Sequence, residues 1–337
     1  MGNQKKELVE WINSIIENLD CDEIINIVPL REQASLRNYF RLETDKDTKI
    51  AVSSDPMTDV NRVFENLSSC LLKKGIKVPK IEAFDHEAGF MVMEDFGDKV
   101  LQLEMNPEDE QKFYKSAINQ LHLIQRIRPF DGLKELSSAI LRDQMKLFEE
   151  WFLIGLLNFE CSSKQQRIIS DAYEFIAQEC SSQPQVLCHF DFEFRNLMLL
   201  EGDKLGILDF QDLCIGAYSL DLVSILKDLE NPLRDKDLEK YLIYFLKDLN
   251  DLDNNYLYQD NLRRDVDFSG FQRQLRILGT LSRLHLRDNK SFRLLDLVQT
   301  LKFLTDDLKK YNELKSFQEF LVKQVEPRLH KALEVFN

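Results

Sequence analysis

No two cysteines in the sequence are spaced as C-x-x-C; the six that occur are scattered at 21, 70, 161, 180, 188 and 214. Neither a zinc site nor a disulfide framework is suggested, and the thiols read as the reduced ones of a cytoplasmic protein. Long apolar runs are missing too: WFLIGLLNF (151–159) is too short to cross a bilayer. The opening MGNQKKELVEWINSII lacks the apolar core and cleavage site of a signal peptide and reads as an amphipathic helix. Lys6 stands where a myristoylation signal needs Ser or Thr. Positive charge is in deficit, with 44 Lys and Arg against 58 Asp and Glu, a net charge of −14. Such a surface repels nucleic acid and anionic membrane, so neither is an expected partner. A small anion would need local cations or a metal. There is no internal repeat, low-complexity segment or long linker, and no obligate protein partner is suggested. DLNDLDNN (248–255) is an acidic surface loop at most.

What is present divides the chain in two. A length of 337 residues exceeds what one hydrophobic core comfortably fills. The first part alternates as strands: EIINIVPL (23–30), NYFRLETD (38–45) and TKIAVSSD (48–55). MTDVNRVFENLSSCLLKKG (57–75) has apolar residues at three- and four-residue spacing and closes on Gly75, which predicts a helix. VPKIEAFD (78–85) and GFMVMEDF (89–96) predict a hairpin. From about Pro107 the periodicity turns helical, with helices over 111–127, 137–159 and roughly 164–180. A short strand pair (197–200, 205–209) interrupts, and the remainder reads as helix. The expected architecture is α+β: a β-rich lobe over 1–95, a hinge over 96–106, and a helical lobe over 107–337.

Between two apolar stretches lies HFDFEFRN (189–196), a loop without the Gly, Pro or Asn-Gly of a simple turn. LGILDFQD follows, placing Asp209 and Asp212 at the end of an apolar strand. Phosphoryl transfer needs a carboxylate to take a hydroxyl proton and oxygen ligands that hold Mg²⁺ against the phosphates. Asp191 supplies the first; the Asn196 amide oxygen and the Asp209 carboxylate supply the second. HxDxxxxN carries little by itself. Joined to a hairpin, a DF pair and the preceding strand order, it is the arrangement of kinase-like phosphotransferases. The bland alternative is a turn capped by Asp191 and Asn196. The apolar flanks are expected to hold the loop on a hairpin, with its phenylalanines wedged beneath.

HFDFEFRNLML with LDFQDLCIGAYSLDLVSIL resembles the aminoglycoside phosphotransferase and choline kinase superfamily, whose fold is the bilobal one of protein kinases. QASLRNYFRL (33–42), LFEEWFL (147–153) and QRQLRILGTLSRL (272–284) are similar to stretches of bacterial kinases of N-acetylmuramate and N-acetylglucosamine. Those enzymes phosphorylate the anomeric hydroxyl and feed cell-wall recycling. The resemblance runs from about residue 5 to 310.

The resemblance implies ATP and Mg²⁺ as cofactors, Asp191 as catalytic base, and Asn196 and Asp209 as metal ligands. It makes Asp221 the brace of the catalytic loop, with an N-cap as the alternative. QASLRN would cover the phosphates through backbone amides, Ser35 and Arg37, or be only a turn. Glu94 and Phe96 would read the adenine edge with backbone groups. One departure stands out: Ser53 or Ser54 occupies the place of the third-strand lysine, leaving magnesium, Arg37, Arg41 or Lys49 to offset phosphate charge.

For the acceptor, Trp151, Arg195, Gln211 and Asp212 are candidates by family position and chemistry. Arg195 either lies near the phosphates or pairs with Glu193. Arg273, Arg276, Arg283 and Arg287 are either a solvated helix face or a source of anion binding, with Arg283 holding a sugar carboxylate. His189 is expected to orient the loop rather than act as a base. Two readings compete with an amino-sugar kinase. One is the same fold acting on an aminoglycoside, choline or another sugar; the other is a non-catalytic nucleotide-binding module.

Overall fold

The computed structural model describes residues 2–30, 37–55, 60–230, 233–247, 249 and 258–334. Ser35 and most of the REQASLR stretch lie outside them. The chain groups into two compact units: residues 1–116 with 194–212, and residues 117–193 with 213–337.

In the first unit, α1 (Gly2–Ser14) precedes β1 (Ile24–Pro29), β2 (Asn38–Thr44) and β3 (Thr48–Ser53). Then come α2 (Val60–Lys73), β4 (Ile81–Asp85), β5 (Phe90–Glu94) and the short α3 (Leu101–Glu104). The five strands form one antiparallel sheet in the order β1-β2-β3-β5-β4. Side chains alternate between its faces, so residues paired across strands share a face. Leu42, Ala51 and Val92 fall on the face where Leu8 and Ile12 of α1 close the core. Trp11 meets Phe90 there, ring centroids 5.7 Å apart. The helix expected over 57–75 is observed from Val60, and Gly75 ends it with a left-handed backbone (φ 83°).

The segment 194–212 belongs to this unit because backbone bonds tie it there. The amide of Leu199 donates to Lys99 O and that of Ile207 to Lys77 O, both at 2.8 Å. Its two strands pair as a hairpin (Leu197–Leu199 with Leu205–Ile207). Gly206 is required: a Cβ there would stand 2.5 Å from the Phe96 ring.

After α4 (Glu110–Gln125), the second unit has β6 (Lys134–Glu135), α5 (Ser138–Leu147), α6 (Ser163–Ser182) and β7 (Gln185–Cys188). With the hairpin strands numbered β8 and β9, β10 (Cys214–Ala217) follows, then α7 (Leu220–Leu226), α8 (Asp235–Leu246), α9 (Tyr258–Asp288) and α10 (Asp296–Leu308). Two short helices lead to Leu333.

Two expectations are corrected here. The stretch 137–159 is not one α-helix: after Leu147 it widens into a π-helix, Phe148–Leu156, a form frequent at functional sites. Residues 214–217 are a strand rather than part of the helical remainder, because β10 pairs antiparallel with β7 and parallel with β6.

The 31-residue α9 is the axis of the second unit and packs against the π-helix, α5, α6, α7 and α10. Its Gly279 lies on the backbone of Leu147, where a Cβ would fall 2.2 Å from the carbonyl carbon. No side chain fits at that crossing. Among the described residues no helix is long and apolar enough to cross a membrane, and all six cysteines are unbridged.

Candidate active site

HFDFEFRN does not sit on a hairpin of its own flanks. β7, before it, pairs with β10, and β8, after it, pairs with β9. The division between the two units falls inside the loop, after Glu193. Short apolar runs on either side of a loop suggest a hairpin, but pairing depends on which edge is available, and each flank found a different one.

His189, Asp191 and Glu193 belong to the second unit. Asp221, fully buried near the start of α7, accepts two hydrogen bonds from the loop backbone. The His189 amide donates to Oδ2 at 2.6 Å and the Phe190 amide to Oδ1 at 2.9 Å. Of the two readings of Asp221, the geometry is that of a brace rather than an N-cap. Burial pushes its carboxyl up to about 6, against the lowering effects of the His189 charge and the two amides. The start of α7 is itself fixed by a buried polar network. Ser219 Oγ lies 2.6 Å from Gln183 Oε1, and Tyr218 Oη donates to Asp265 Oδ2 at 2.7 Å.

Phe190 has φ 79°, a left-handed backbone that bulky residues rarely adopt. Phe192 and Phe194 are wholly buried, as a wedge requires. Phe190 is instead half-buried, under the guanidinium of Arg276. Arg276 Nη2 stands 3.3 Å from Asp191 Oδ1. Glu193, buried, is bonded by Arg273 Nη2 at 2.5 Å. The structure thus gives Glu193 a partner, Arg273, that the sequence did not suggest; Arg195 is exposed.

Asn196 and Asp209 belong to the first unit. They are linked through one backbone bond, from the Leu208 amide to Asn196 O at 2.9 Å. Asp209 is exposed, has φ 60°, and accepts from Gln211 Nε2 at 2.6 Å. Phe210 beside it is fully buried and stacks on Phe64 of α2, centroids 4.3 Å apart. Among the described residues no three His, Cys, Asp or Glu side chains group to enclose a metal. One carboxylate and one amide oxygen are hard donors that suit Mg²⁺, an ion that keeps waters and substrate phosphates among its ligands.

Residues 26–254 match the phosphotransferase enzyme family. The chain belongs to that family. Its relatives include the N-acetylmuramate/N-acetylglucosamine kinases of Pseudomonas aeruginosa and Neisseria meningitidis. The first is 27% identical over 92% of this chain and 94% of its own length, the second 28% over 95% of each. Among solved structures, the choline kinase LicA from Streptococcus pneumoniae superposes with TM-score 0.63 at 14% identity, over 90% of this chain and 99% of its own. The ADP-bound aminoglycoside phosphotransferase APH(2'')-Ib gives 0.61 at 13% identity, over 89% and 98%. The fold is therefore the protein-kinase-like one, α+β, as expected.

Several expected roles in this phosphotransferase meet structural competition. Arg41 is bound to Asp95 at 2.6 Å and to Asp98 at 2.8 Å. Lys49 is buried and bonds Asp47 and Glu82, each at 3.0 Å. Burial opposes its charge, but those carboxylates raise its pKa above the ordinary lysine value. The register places Arg41 opposite Ile50 and Leu42 opposite Lys49, so the two cations point to opposite faces of the sheet. Both serve the first unit's own acids rather than standing open to phosphate. Arg37 lies with its guanidinium over the Phe64 ring, 5.0 Å from the centroid. Ser53 has a buried Oγ without a hydrogen-bond partner among the described residues, and Ser54 bonds Gly89 O.

Glu94 donates its amide to Lys80 O at 2.9 Å, so that amide is not open to a purine. Glu94 and Phe96 do line a cavity of about 970 Å³, with Thr48, Lys77, Lys99 and Lys204. Asp95, Asp98, Glu201 and Asp203 line it as well. Gln211 is half-buried and Asp212 exposed. In the second unit Trp151 is half-buried in the π-helix. Arg283 on α9 has a buried Nε without a hydrogen-bond partner among the described residues. Arg287 is exposed and paired with Asp288.

The sequence reading gave Arg273 and Arg276 no role of their own. Their signal was faint: two arginines at i, i+3 among apolar positions of a helix, and two acids at i, i+2 in the loop. Buried cations are almost always paired, but the pairing itself is a tertiary fact.

Proposed function

We propose that the protein is an ATP- and Mg²⁺-dependent kinase that phosphorylates the anomeric hydroxyl of N-acetylmuramate or N-acetylglucosamine, in the cytoplasm, as part of cell-wall recycling. The observation that carries this reading is the similarity to kinases of those two sugars along 92–95% of the chain. The braced loop supports it. Asp191 accepts the proton of the sugar hydroxyl as its oxygen bonds the γ-phosphorus and the bond to the β-phosphate oxygen breaks. Asn196 and Asp209 would hold Mg²⁺, whose charge offsets that of the phosphates. His189 and Asp221 keep the loop in place.

Arg37 and, from outside the described residues, Ser35 would face the nucleotide, with the carbonyl of Glu94 and the backbone of Phe96 at the adenine. Trp151 would stack on the pyranose, while Arg195, Gln211 and Asp212 take its polar groups. Arg283 would bond the lactyl carboxylate of N-acetylmuramate, consistent with its unsatisfied Nε.

The test is a panel. The protein is incubated with ATP, Mg²⁺ and N-acetylated sugars, then with choline and an aminoglycoside, and each product is located by NMR. Phosphate on O1 of an N-acetylated sugar is expected. Transfer to O6, to choline or to an aminoglycoside, or no transfer at all, overturns the reading.

A further inference from the structure

We propose that Arg276 is a positioning residue for the Asp191 carboxylate, and that α9 grips the catalytic loop at two points through Arg276 and Arg273. The proposal rests on the reading of Asp191 as the base of a kinase. The main chain entering Asp191 is already fixed, since Asp221 binds the two preceding amides. Nothing in those bonds sets the direction of the Asp191 side chain. Arg276 does so, with Nη2 at 3.3 Å from Oδ1.

The guanidinium is in turn held by the ring of Phe190, whose centroid is 4.2 Å from its central carbon. A planar fork can lie on a ring and donate in its own plane, which an ammonium cannot do. The left-handed backbone at Phe190 turns its ring to this position. One residue thus braces both the strained peptide and the carboxylate that follows it.

The second point makes the grip directional. Arg273 and Arg276 are one turn apart on α9, about 5–6 Å between Cβ atoms. Their partners, Glu193 and Asp191, are two residues apart in the loop, a comparable span. A single ion pair would let the loop pivot; two adjacent ones fix its angle to the helix. The Arg273–Glu193 pair is the buried anchor, with side chains 4% and 10% exposed. The Arg276–Asp191 pair is the exposed end, at 14% and 26%, where a hydroxyl can reach the carboxylate. α9 is held in position by the contact of Gly279 with Leu147, three residues beyond Arg276.

Steady-state kinetics and thermal melts of the full chain test this with Arg276→Gln, Arg276→Lys, Asp191→Asn and the double variant Asp191→Asn/Arg276→Gln. Arg276→Gln is expected to lower kcat by roughly 10–100-fold, the effect of about 1 Å of misplacement, with KM for ATP unchanged. Arg276→Lys should recover only part of the loss. In the Asp191→Asn background the same Arg276→Gln change should cost less than about threefold, because the group it positions is gone.

Equal losses in both backgrounds, no loss, or a loss confined to the acceptor KM overturn the proposal. Should Arg276→Gln unfold below the assay temperature, Arg276→Lys carries the same comparison. If Asp191→Asn keeps full turnover, the base assignment fails. If Asp191→Asn is crippled and Arg276→Gln is not, only the grip fails.

Discussion

The two ends of one eight-residue loop are held in opposite ways. Its first half, in the second unit, is bonded by a buried carboxylate, a buried arginine and a stacked arginine. Its last residue, Asn196, belongs to the first unit, where its carbonyl accepts from the Leu208 amide next to an exposed Asp209. If Asp191 is the base, as proposed, its carboxylate has to meet a hydroxyl in one geometry, and these bonds fix the loop that carries it. If Asn196 and Asp209 hold the metal as proposed, the ion itself can draw an exposed carboxylate such as that of Asp209 into place.

The largest expected effect tests the rigid half directly. Asp191→Asn should lower turnover by roughly 10²-fold or more while the melting temperature holds; kinetics and a thermal melt check both. Activity within a few-fold of the parent would mean that all this bracing serves something other than proton transfer.

Next comes the brace. Asp221→Asn replaces one acceptor oxygen by an amide that cannot accept from a loop N–H, and kcat should fall by roughly tenfold to a hundredfold. Acid should act similarly on the native chain. The Asp221 carboxyl, ordinarily at 3.8, is raised to about 6 by burial. Below about 6 it takes up a proton and its hold on the His189 and Phe190 amides weakens, so activity should decline. Its contribution to stability runs the other way. The folded state binds the extra proton between the two values, so this contribution is present below 3.8 and lost as pH rises through about 6. Rate profiles and melts over that window should diverge in the parent and lose this divergence in Asp221→Asn.

The smallest effect belongs to the first unit's cations. Lys49→Met should cost about 1–3 kcal/mol of stability, read from denaturant unfolding, with kcat unchanged. A fall in kcat at unchanged stability would return Lys49 to the phosphates.

Much of the fold could be read from periodicity. Alternation in NYFRLETD and the apolar spacing of 57–75 place β2 and α2 almost to the residue, because one face of each is buried against a single layer. What could not be read depended on partners distant in sequence. β10 has only four residues and is a strand because β7 and β6 flank it. The π-helix follows a stretch whose periodicity looks α-helical.

The site divides in the same manner. HxDxxxxN and DFQD name the residues that can do phosphoryl chemistry, since the chemistry dictates their types. The side chains that hold them are chosen by packing, and so Arg273 and Arg276 were indistinguishable from neighbouring charges. The same limit hid the acidic partners of Arg41 and Lys49, which are up to 57 and 33 residues away.

Gly279 touches neither the loop nor any group that could react. Yet it sets how deeply α9 seats on Leu147, and three residues earlier the same rigid rod presents Arg276 to Asp191. About 4.5 Å of helix separates the two positions, too short a length to flex. A methyl group added at Gly279 would therefore act as a shim under a lever, moving the arginine tip and with it the angle of the Asp191 carboxylate. The setting of the loop thus depends on a residue that has no side chain.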